Sequence, residues 1–331
     1  MPQKHKIVVT NFVTEPLQVE RDVLADVADV TALDGMHEKD LWPRIDDAEA
    51  VMLYHGLNLT PATIDRLTRC KLIVRCGVGY DNVDHVYARK RSIPVANVPD
   101  YGTEEVADSA IGMTLALTRG IHLLNSRLRR KEGPWLYTQT TPLQRLRGKV
   151  FGIIGLGRIG SAAALRAKAL NMRVVFYDPF LPDGYDKALG VERVETLDEL
   201  LAQVYVLSVH SPATPVTIGM IGREAIRKMP RGSYVVNTAR GPIVDTTAVV
   251  EALAEGHLAG AGIDVLVTEP PRGDEPVIVA WRDPNHPAHD RLILNPHAAF
   301  YCEQGLEDMR RKGAIACRNA MLGKMVRNIV N

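Results

Sequence analysis

A strand-like apolar run that breaks into three regularly spaced glycines constrains this chain more than any other stretch. The run Val150-Phe-Gly-Ile-Ile leads into Gly155-Leu-Gly157-Arg-Ile-Gly160, and helix-forming residues follow. Glycines at these places allow a sharp turn, a close approach of the main chain to phosphate, and tight packing of helix on strand. The stretch therefore predicts a strand–turn–helix unit whose helix N-terminus binds a dinucleotide pyrophosphate. Its predicted cofactor contacts are Gly155, Gly157, Arg158, Ile159 and Gly160.

An acid at the end of the next apolar run indicates which dinucleotide is bound. Asp178 follows the run Met172–Tyr177, about twenty residues beyond the glycines, where such units place the acid that binds the ribose hydroxyls. A carboxylate repels the 2′-phosphate of NADP, and Pro179 rather than an arginine follows it. We therefore predict NAD as the cofactor.

Length and charge bound the class of protein. The chain has 331 residues, which suggests two domains, and 40 basic against 39 acidic residues. This balance gives no electrostatic reason to expect direct binding to nucleic acid or to an anionic membrane. The four cysteines form no CxxC pair, so we expect no metal site. The N-terminal residues lead into only a short apolar run, and we expect a cytoplasmic protein.

Continuous apolar runs alternate with helix-like segments, which is typical of a parallel sheet buried on both faces. In the first hundred residues the pattern predicts strands at 6–10, 49–54, 71–75 and 94–98, and helices at 19–25 and 60–69. A long helix is predicted at 103–118. Beyond it the pattern predicts six strands, beginning at Val150 and continuing at 173–177, 204–209, 233–237, 260–264 and 292–295. Helices between these strands are predicted at 161–170, 197–201, 222–228 and 246–255.

A last amphipathic helix, at 302–322, is too isolated to form a domain and should pack on the N-terminal one. The predicted fold is thus α/β, with a doubly wound parallel-sheet (Rossmann) NAD domain, residues 101–298, inserted into a discontinuous flavodoxin-like α/β substrate domain, residues 1–100 plus 299–331. We expect a ligand cleft between the two domains.

Ligands of such sheets bind outside the carboxyl ends of the strands, so polar residues just past each strand are candidate site residues. In the later domain these are Asp178, His210, Thr238 to Arg240, Asp264 with Glu269, and His297. In the first domain they are Arg75 and the loop 76–81. We expect arginine, imidazole and carboxylate groups to converge on the cofactor.

With these motifs the sequence resembles the D-isomer-specific 2-hydroxyacid dehydrogenase family. The motifs that carry the resemblance are Gly155-Leu-Gly-Arg-Ile-Gly160, Val236-Asn-Thr-Ala-Arg-Gly241, Asp264-Val-Leu-Val-Thr-Glu-Pro270 and Pro296-His-Ala-Ala299, with support from 77–84, 97–99 and 105–108. Within the family, Phe176–Gly184 and His297–Tyr301 resemble the branch of the C-terminal-binding proteins, NAD(H)-binding transcriptional corepressors.

The resemblance implies catalysis by Arg240, Glu269 and His297, and the chemistry agrees. A 2-oxo acid needs its carboxylate held, its carbonyl polarised and a proton delivered. The guanidinium fork of Arg240 suits the first two tasks, and an imidazole suits the third near neutral pH. Glu269 would orient the ring of His297 by accepting from its other nitrogen.

The resemblance also implies further ligand contacts. Those to the cofactor are Thr103, His210, Thr217, Thr238, Ala239, Asp264 and His297, with His210 as wall rather than chemistry. Those to the substrate are Arg75, Val78, Gly79, Arg240 and His297, with the 78–79 main chain as an anion nest. Asp264 could instead cap a loop, Arg75 could form an ion pair across the domain interface, and the basic segment 127–131 is a solvated helix face rather than an anion site.

The predicted function is hydride transfer between NAD(H) and a small 2-hydroxy or 2-oxo acid. The alternatives are a corepressor-like NAD(H)-sensing protein with weak activity and a short phosphoglycerate dehydrogenase, whereas formate or phosphite oxidation is disfavoured by the sequence Cys76–Tyr80. The resemblance implies a homodimer through the NAD domains, with 120–135 as the crossing arm. Loops near Tyr54–Gly56, Val78, Tyr101, Trp135 and Phe300 are expected around the substrate's C3 substituent.

Overall fold

A computed structural model describes residues 4–331, which form two compact units. The first comprises residues 4–102 with Tyr301–Asn331, and the second Thr103–Phe300. No helix of the described residues is both long and apolar enough to cross a membrane.

The first unit is built on a parallel sheet of five strands in the order β2-β1-β3-β4-β5. The strands are β1 (His5–Val9), β2 (Ala28–Ala32), β3 (Ala50–Leu53), β4 (Leu72–Arg75) and β5 (Val95–Asn97). The helices are α1 (Gln18–Leu24), α2 (Glu38–Ile45), α3 (Pro61–Ile64), α4 (His85–Lys90) and α13 (Glu303–Met321). Strands β3 and β4 are buried along their whole length, as expected for central strands covered by helices on both faces.

Helix α13 closes the core of this unit. Its buried residues recur every three or four positions, from Gly305 to Met321, so one stripe faces the sheet. At Gly313 an added Cβ would lie 2.7 Å from the sulfur of Cys76, so only glycine allows so close an approach. Arg310 binds both carboxylate oxygens of fully buried Glu20, on α1, at 2.8 and 2.6 Å. The terminal helix therefore packs against α1 and the sheet of the first unit.

The segment after α13 covers the edge of the sheet. Asn97 donates its N–H to Asn328, Val330 donates to Val95, and Ala96 forms an antiparallel bridge with Ile329. The side chain of Asn331 adds bonds to the N–H of Val95 and the carbonyl oxygens of His85 and Ile93. The edge strand β5 is thus capped by residues far away in sequence.

The second unit is a parallel sheet of seven strands in the order β12-β11-β10-β9-β6-β7-β8. The strands are β6 (Val150–Ile154), β7 (Arg173–Tyr177), β8 (Glu192–Arg193), β9 (Val206–Val209), β10 (Ser233–Asn237), β11 (Leu258–Ile263) and β12 (Leu292–Leu294). The helices are α5 (Thr103–Thr118), α6 (Ile121–Arg129), α7 (Arg158–Ala169), α8 (Tyr185–Leu189), α9 (Leu197–Leu201), α10 (Arg223–Lys228), α11 (Thr246–Ala254) and α12 (Pro276–Arg282). The strand order reverses between β6 and β9, and this places a topological switch point beside the glycine turn.

The structure adds elements that the sequence pattern does not predict. Strand β2 alternates buried and exposed residues, because it lies at an edge, and α2 contains Pro43. Strand β8 has only two residues, and α12 begins with an apolar run that is equally typical of a strand. The predicted helix at 60–69 is wrong beyond Ile64. There Arg66 binds the carboxylate of Asp46 at 2.8 and 2.7 Å, so tertiary contacts take the place of helical ones.

Candidate active site

The three glycines after β6 differ in whether neighbouring atoms leave room for a side chain. At Gly155, where φ is +85°, an added Cβ would lie 2.8 Å from the backbone nitrogen of Ser211. At Gly160 it would lie 2.1 Å from the carbonyl oxygen of Gly155. At Gly157, the N-cap of α7, an added Cβ meets nothing within 4 Å. Packing thus requires glycine at the outer two positions, whereas Gly157 borders open space into which a phosphate fits.

Four buried hydroxyl or imidazole atoms of the second unit have no hydrogen-bond partner among the described residues. They are Thr103 Oγ1, His210 Nδ1, Ser211 Oγ and Thr238 Oγ1. Three of them follow β9 or β10, at the carboxyl edge that also carries the glycine turn. A buried polar atom without a partner costs about 1–3 kcal/mol, so this edge is suited to a polar ligand that supplies the missing bonds.

His210 is held at this edge in its neutral form. Its Nε2 lies 2.9 Å from the hydroxyl of Ser208, and its backbone N–H donates to Ile154. Burial lowers the pKa of His210 to about 4. The ring is therefore uncharged near neutral pH and suits a binding wall better than proton transfer.

Asp178 follows β7, next to the glycine turn. Its carboxylate accepts from the backbone N–H groups of Leu156 and Phe180, each at 3.0 Å, which fixes its orientation. Arg193 on β8 lies nearby and donates to the carbonyl oxygens of Leu181 at 3.1 Å and Asp178 at 3.5 Å. The spacing in the sequence does not predict that Arg193 lies beside Asp178, because the pairing of β8 with β7 brings them together.

His297 and Glu269 form a pair at the end of β12. The ring nitrogen Nδ1 of His297 lies 2.6 Å from Oε2 of Glu269, and the other carboxylate oxygen accepts from the N–H of Leu266 at 2.7 Å. Burial acts to raise the pKa of Glu269, but the hydrogen bond and charge of His297 outweigh it and leave that pKa below its usual value. The carboxylate thus stays ionised and orients the ring.

Asp264 holds the loop that carries His297. This fully buried carboxylate accepts from the N–H groups of Ala298 at 2.9 Å and Ala299 at 3.1 Å, and its carbonyl oxygen accepts from the N–H of His297. These bonds support His297 in an unusual backbone conformation, with φ at +52°. Burial raises the pKa of Asp264, against the hydrogen bonds that lower it. These contacts are those of a residue that caps a loop, which is the alternative role considered for Asp264.

Arg240 lies near this pair, after β10. Its Nη1 donates to the carbonyl oxygen of Ala239 at 2.8 Å, and its own carbonyl oxygen accepts from Asn237. An added Cβ at Gly241 would lie 2.1 Å from the carbonyl carbon of Leu266, so the Arg240 loop packs against the loop of Glu269. The charge of Arg240 also lowers the pKa of Glu269. The ends of β10, β11 and β12 therefore bring arginine, carboxylate and imidazole together.

Other predicted site residues have protein contacts of their own. The hydroxyl of Thr217 donates to Pro212 at 2.6 Å and accepts from the N–H of Thr214, so it organises its own loop. The N–H of Ala239 donates to the side chain of Asn237 at 3.0 Å. Their contacts with a cofactor stay predictions, as do those of Arg158 and Ile159 at the start of α7.

In the first unit the substrate candidates follow β4. Arg75 is buried and donates to the side chain of Asn82 at 3.2 Å and to the carbonyl oxygen of Cys76 at 3.1 Å. Val78 and Gly79 are half-buried, and the carbonyl oxygen of Val78 accepts from Asn97 at 2.7 Å. Their contacts with a substrate also stay predictions.

The basic segment after α5 is neutralised within the second unit. Arg127 and Arg130 bind the two carboxylate oxygens of Asp290 at 3.1 and 2.8 Å, and Arg130 also binds Glu132. Arg127 and Arg130 are therefore ion-paired with a partly buried carboxylate, so this part of the segment 127–131 differs from the solvated helix face that was expected.

Comparison with known families decides the identity of the second unit. Residues 111–299, more than half of the chain, match the model of the D-isomer specific 2-hydroxyacid dehydrogenase, NAD binding domain. The chain belongs to the D-isomer specific 2-hydroxyacid dehydrogenase family. The family resemblance, the parallel-sheet fold and NAD as cofactor are thereby confirmed.

Relatives of this dehydrogenase family extend the likeness to nearly the whole chain. D-3-phosphoglycerate dehydrogenase of Methanocaldococcus jannaschii is 34% identical over 97% of this chain, and C-terminal-binding protein 1 of Caenorhabditis elegans is 32% identical over 95%. The chain spans 59% and 43% of the lengths of these two proteins. The structure of D-lactate dehydrogenase from Aquifex aeolicus, complexed with NAD and lactic acid, matches with a TM-score of 0.85 and 28% identity, covering 98% of both chains.

The residues of the second unit fit NAD as this family requires. The open space at Gly157 admits the pyrophosphate at the N-terminus of α7, and Asp178 has a fixed carboxylate for the ribose hydroxyls. The unpartnered atoms of Thr103, His210 and Thr238 offer polar contacts. Ser211 has the same property, and the rule of polar residues past strand ends could have found it next to His210.

Proposed function

We propose that this protein transfers hydride between NAD(H) and C2 of a small 2-hydroxy or 2-oxo acid. The observation that carries the proposal is the His297–Glu269 pair beside Arg240, at the carboxyl ends of adjacent strands of an NAD-binding sheet. A dinucleotide fold alone fits many reactions, whereas this set supplies the groups that reduction of a 2-oxo acid requires.

Bound NADH would supply the hydride for C2 of the oxo acid, and the residues of the chain bind the acid and deliver the proton. Arg240 binds the substrate carboxylate and the neighbouring carbonyl oxygen through its guanidinium fork, and so stabilises the charge that develops there. His297 delivers a proton from Nε2 to that oxygen, since Glu269 occupies its Nδ1. Oxidation of the hydroxy acid reverses each step, with His297 as the base.

The test is the kinetics of two variants. His297→Gln and Arg240→Ala should each lower kcat or kcat/KM for 2-oxo acids by about 10²–10⁴-fold, while NADH binding measured by fluorescence persists. His257→Gln is the matched control, because His257 lies before the start of β11, at the opposite edge of the sheet. Unchanged turnover in either site variant would overturn the assignment.

The same assay distinguishes two alternative functions from the proposed one. Tight NADH binding with no turnover of glyoxylate, pyruvate or hydroxypyruvate by the wild-type protein would favour a cofactor-sensing role like that of the corepressor branch. A preference for 3-phosphoglycerate would favour the phosphoglycerate reaction. The similarity to C-terminal-binding protein 1 and to D-3-phosphoglycerate dehydrogenase motivates these two controls.

We also propose a homodimer through the segment 120–135 of the second unit. Helix α6 has no buried residue, and large apolar side chains next to it are exposed, among them Ile121, Trp135 at 84% and Tyr137 at 75%. An apolar surface of this kind is typical of an interface. Light scattering should give twice the chain mass of 36.5 kDa. Trp135→Glu should lower it, whereas Met325→Glu, at an exposed position of the first unit, should not.

A further inference from the structure

The loop that carries His297 is held on its N–H side by one residue. Asp264, which follows β11, accepts through its carbonyl or carboxylate oxygens from the N–H groups of His297, Ala298 and Ala299, at 2.8 to 3.1 Å. His297 has a positive φ, and such a conformation persists where the surrounding contacts determine it. These bonds engage only N–H groups of the loop, so its carbonyl side depends on other contacts.

Helix α5 supplies a contact on the carbonyl side. The hydroxyl of Ser109 donates to the carbonyl oxygen of Ala299 at 3.1 Å, although 190 positions separate the two residues in the sequence. Ala299 is buried, and its N–H donates to the carboxylate of Asp264 while its carbonyl oxygen accepts from Ser109. The residue two positions after His297 is therefore fixed from both sides.

The hydroxyl of Ser109 bonds differently from those of two threonines in the same helix. Thr114 and Thr118 donate to carbonyl oxygens four residues earlier in α5, those of Ala110 at 2.8 Å and Thr114 at 2.7 Å. Such back-bonding is a common arrangement for serine and threonine within a helix. Ser109 donates to another element instead, so its hydroxyl joins the helix to the loop of His297.

Helix α5 is a rigid support for this bond, because it packs closely on β11. An added Cβ at Gly262 would lie 3.0 Å from the side chain of Met113, and one at Gly260 would lie 2.9 Å from that of Leu117. Both glycines belong to the strand that precedes the buried carboxylate of the loop. The two side chains that hold the loop therefore extend from one tightly packed framework.

We propose that Ser109 is a positioning residue for His297. Its hydroxyl fixes Ala299 and, through the loop, the imidazole ring that Glu269 orients at Nδ1, so that Nε2 is held in place for proton transfer. The inference rests on the proposed function, because it adds a residue to the machinery of that reaction. A displacement of about 1 Å in a reacting group can cost on the order of 10²-fold in rate, so loss of this bond should lower turnover.

The experiment compares Ser109→Ala with removal of another hydroxyl from α5, using whichever of glyoxylate, pyruvate and hydroxypyruvate the wild type reduces fastest. In Ser109→Ala, kcat should fall about tenfold, while KM for the 2-oxo acid and Kd for NADH stay within about twofold of the wild type. Ser109→Thr, which keeps the hydroxyl, should retain most of the wild-type kcat. Thr114→Val is the matched control, because it removes a buried hydroxyl that bonds only within α5. Its kcat should equal that of the wild type, whatever its melting temperature.

A double variant tests whether Ser109 acts through His297. In the His297→Gln background, Ser109→Ala should cause no further fall in kcat, because the group that it positions is already absent. A further tenfold fall in that background, or an equal loss of kcat in Thr114→Val, would overturn the inference. So would a wild-type kcat in Ser109→Ala. Unchanged turnover in His297→Gln alone would instead overturn the proposed function, and the inference with it.

Discussion

Two histidines at strand ends of the second unit occupy opposite environments. His210, after β9, is buried, bonds to Ser208 through Nε2 and has a pKa of about 4. His297, after β12, is a quarter exposed and pairs through Nδ1 with a carboxylate. Both follow a strand of the same sheet, at the edge where its strands end. Position at a strand end therefore does not decide the role of an imidazole.

The surroundings decide the role instead. Burial without an acid keeps His210 neutral, with one nitrogen unpartnered among the described residues, which suits a wall that bonds to a ligand. A carboxylate partner and access to solvent let His297 exchange a proton. The hypothesis that His210 binds the cofactor and His297 transfers a proton is tested by changing the neighbours of each ring.

The largest effect is expected when the acid beside His297 is neutralised. Glu269→Gln keeps an acceptor for Nδ1 but removes the charge, so kcat should fall about 10²-fold at saturating NADH. Stopped-flow or steady-state kinetics measures this, with the Kd of NADH as the internal control. A loss confined to NADH affinity would place Glu269 in cofactor binding and contradict its role as the partner of His297.

A smaller effect is expected in the pH dependence of stability. His210 has a folded pKa of about 4, below its unfolded value of about 6.5, so the folded state binds fewer protons. Its contribution is complete above pH 6.5 and decreases as the pH falls towards 4. Between pH 7 and pH 5 the free energy of unfolding should fall by about 2 kcal/mol through this group. Urea unfolding at several pH values should show that His210→Gln lacks this decrease. If the unfolding free energies of the variant and the wild type depend on pH in the same way, the assignment to His210 is refuted.

The smallest effect is expected from the hydroxyl that binds His210. Ser208→Ala leaves Nε2 without its partner at 2.9 Å, and the protein should lose about 1 kcal/mol of stability. The affinity for NADH should fall by a few-fold because the ring is less well fixed, while kcat at saturating NADH stays the same. A loss in kcat as large as that of Glu269→Gln would mean that the two histidines act together.

The sequence predicts the parts of the fold that depend on continuous apolar strands and on glycine. Such strands, together with the glycine turn, lead to the confirmed parallel-sheet architecture. Elements are missed where an edge strand is amphipathic, as in β2, or where a helix contains proline, as in α2. A pattern of hydrophobicity cannot reveal such elements, because tertiary contacts decide them.

The candidate site is predicted to a similar extent. The rule of strand ends leads to Arg240, Glu269 and His297, which the structure brings together. It does not lead to Arg193, which reaches Asp178 through pairing of β8 with β7. Lateral strand neighbours and strained dihedrals are properties of the folded chain, and no local pattern contains them.

The return of 301–331 to the first unit has a consequence for synthesis. The second unit is contiguous, so it is complete once residue 300 has left the ribosome. By contrast, α1, β3 and β4 remain uncovered until α13 has been synthesised. About 200 residues intervene, which at roughly 5–20 residues per second is on the order of 10–40 s. During that time Glu20 lacks Arg310, and the face of the nascent sheet that α13 later covers is open to chaperones and to neighbouring chains.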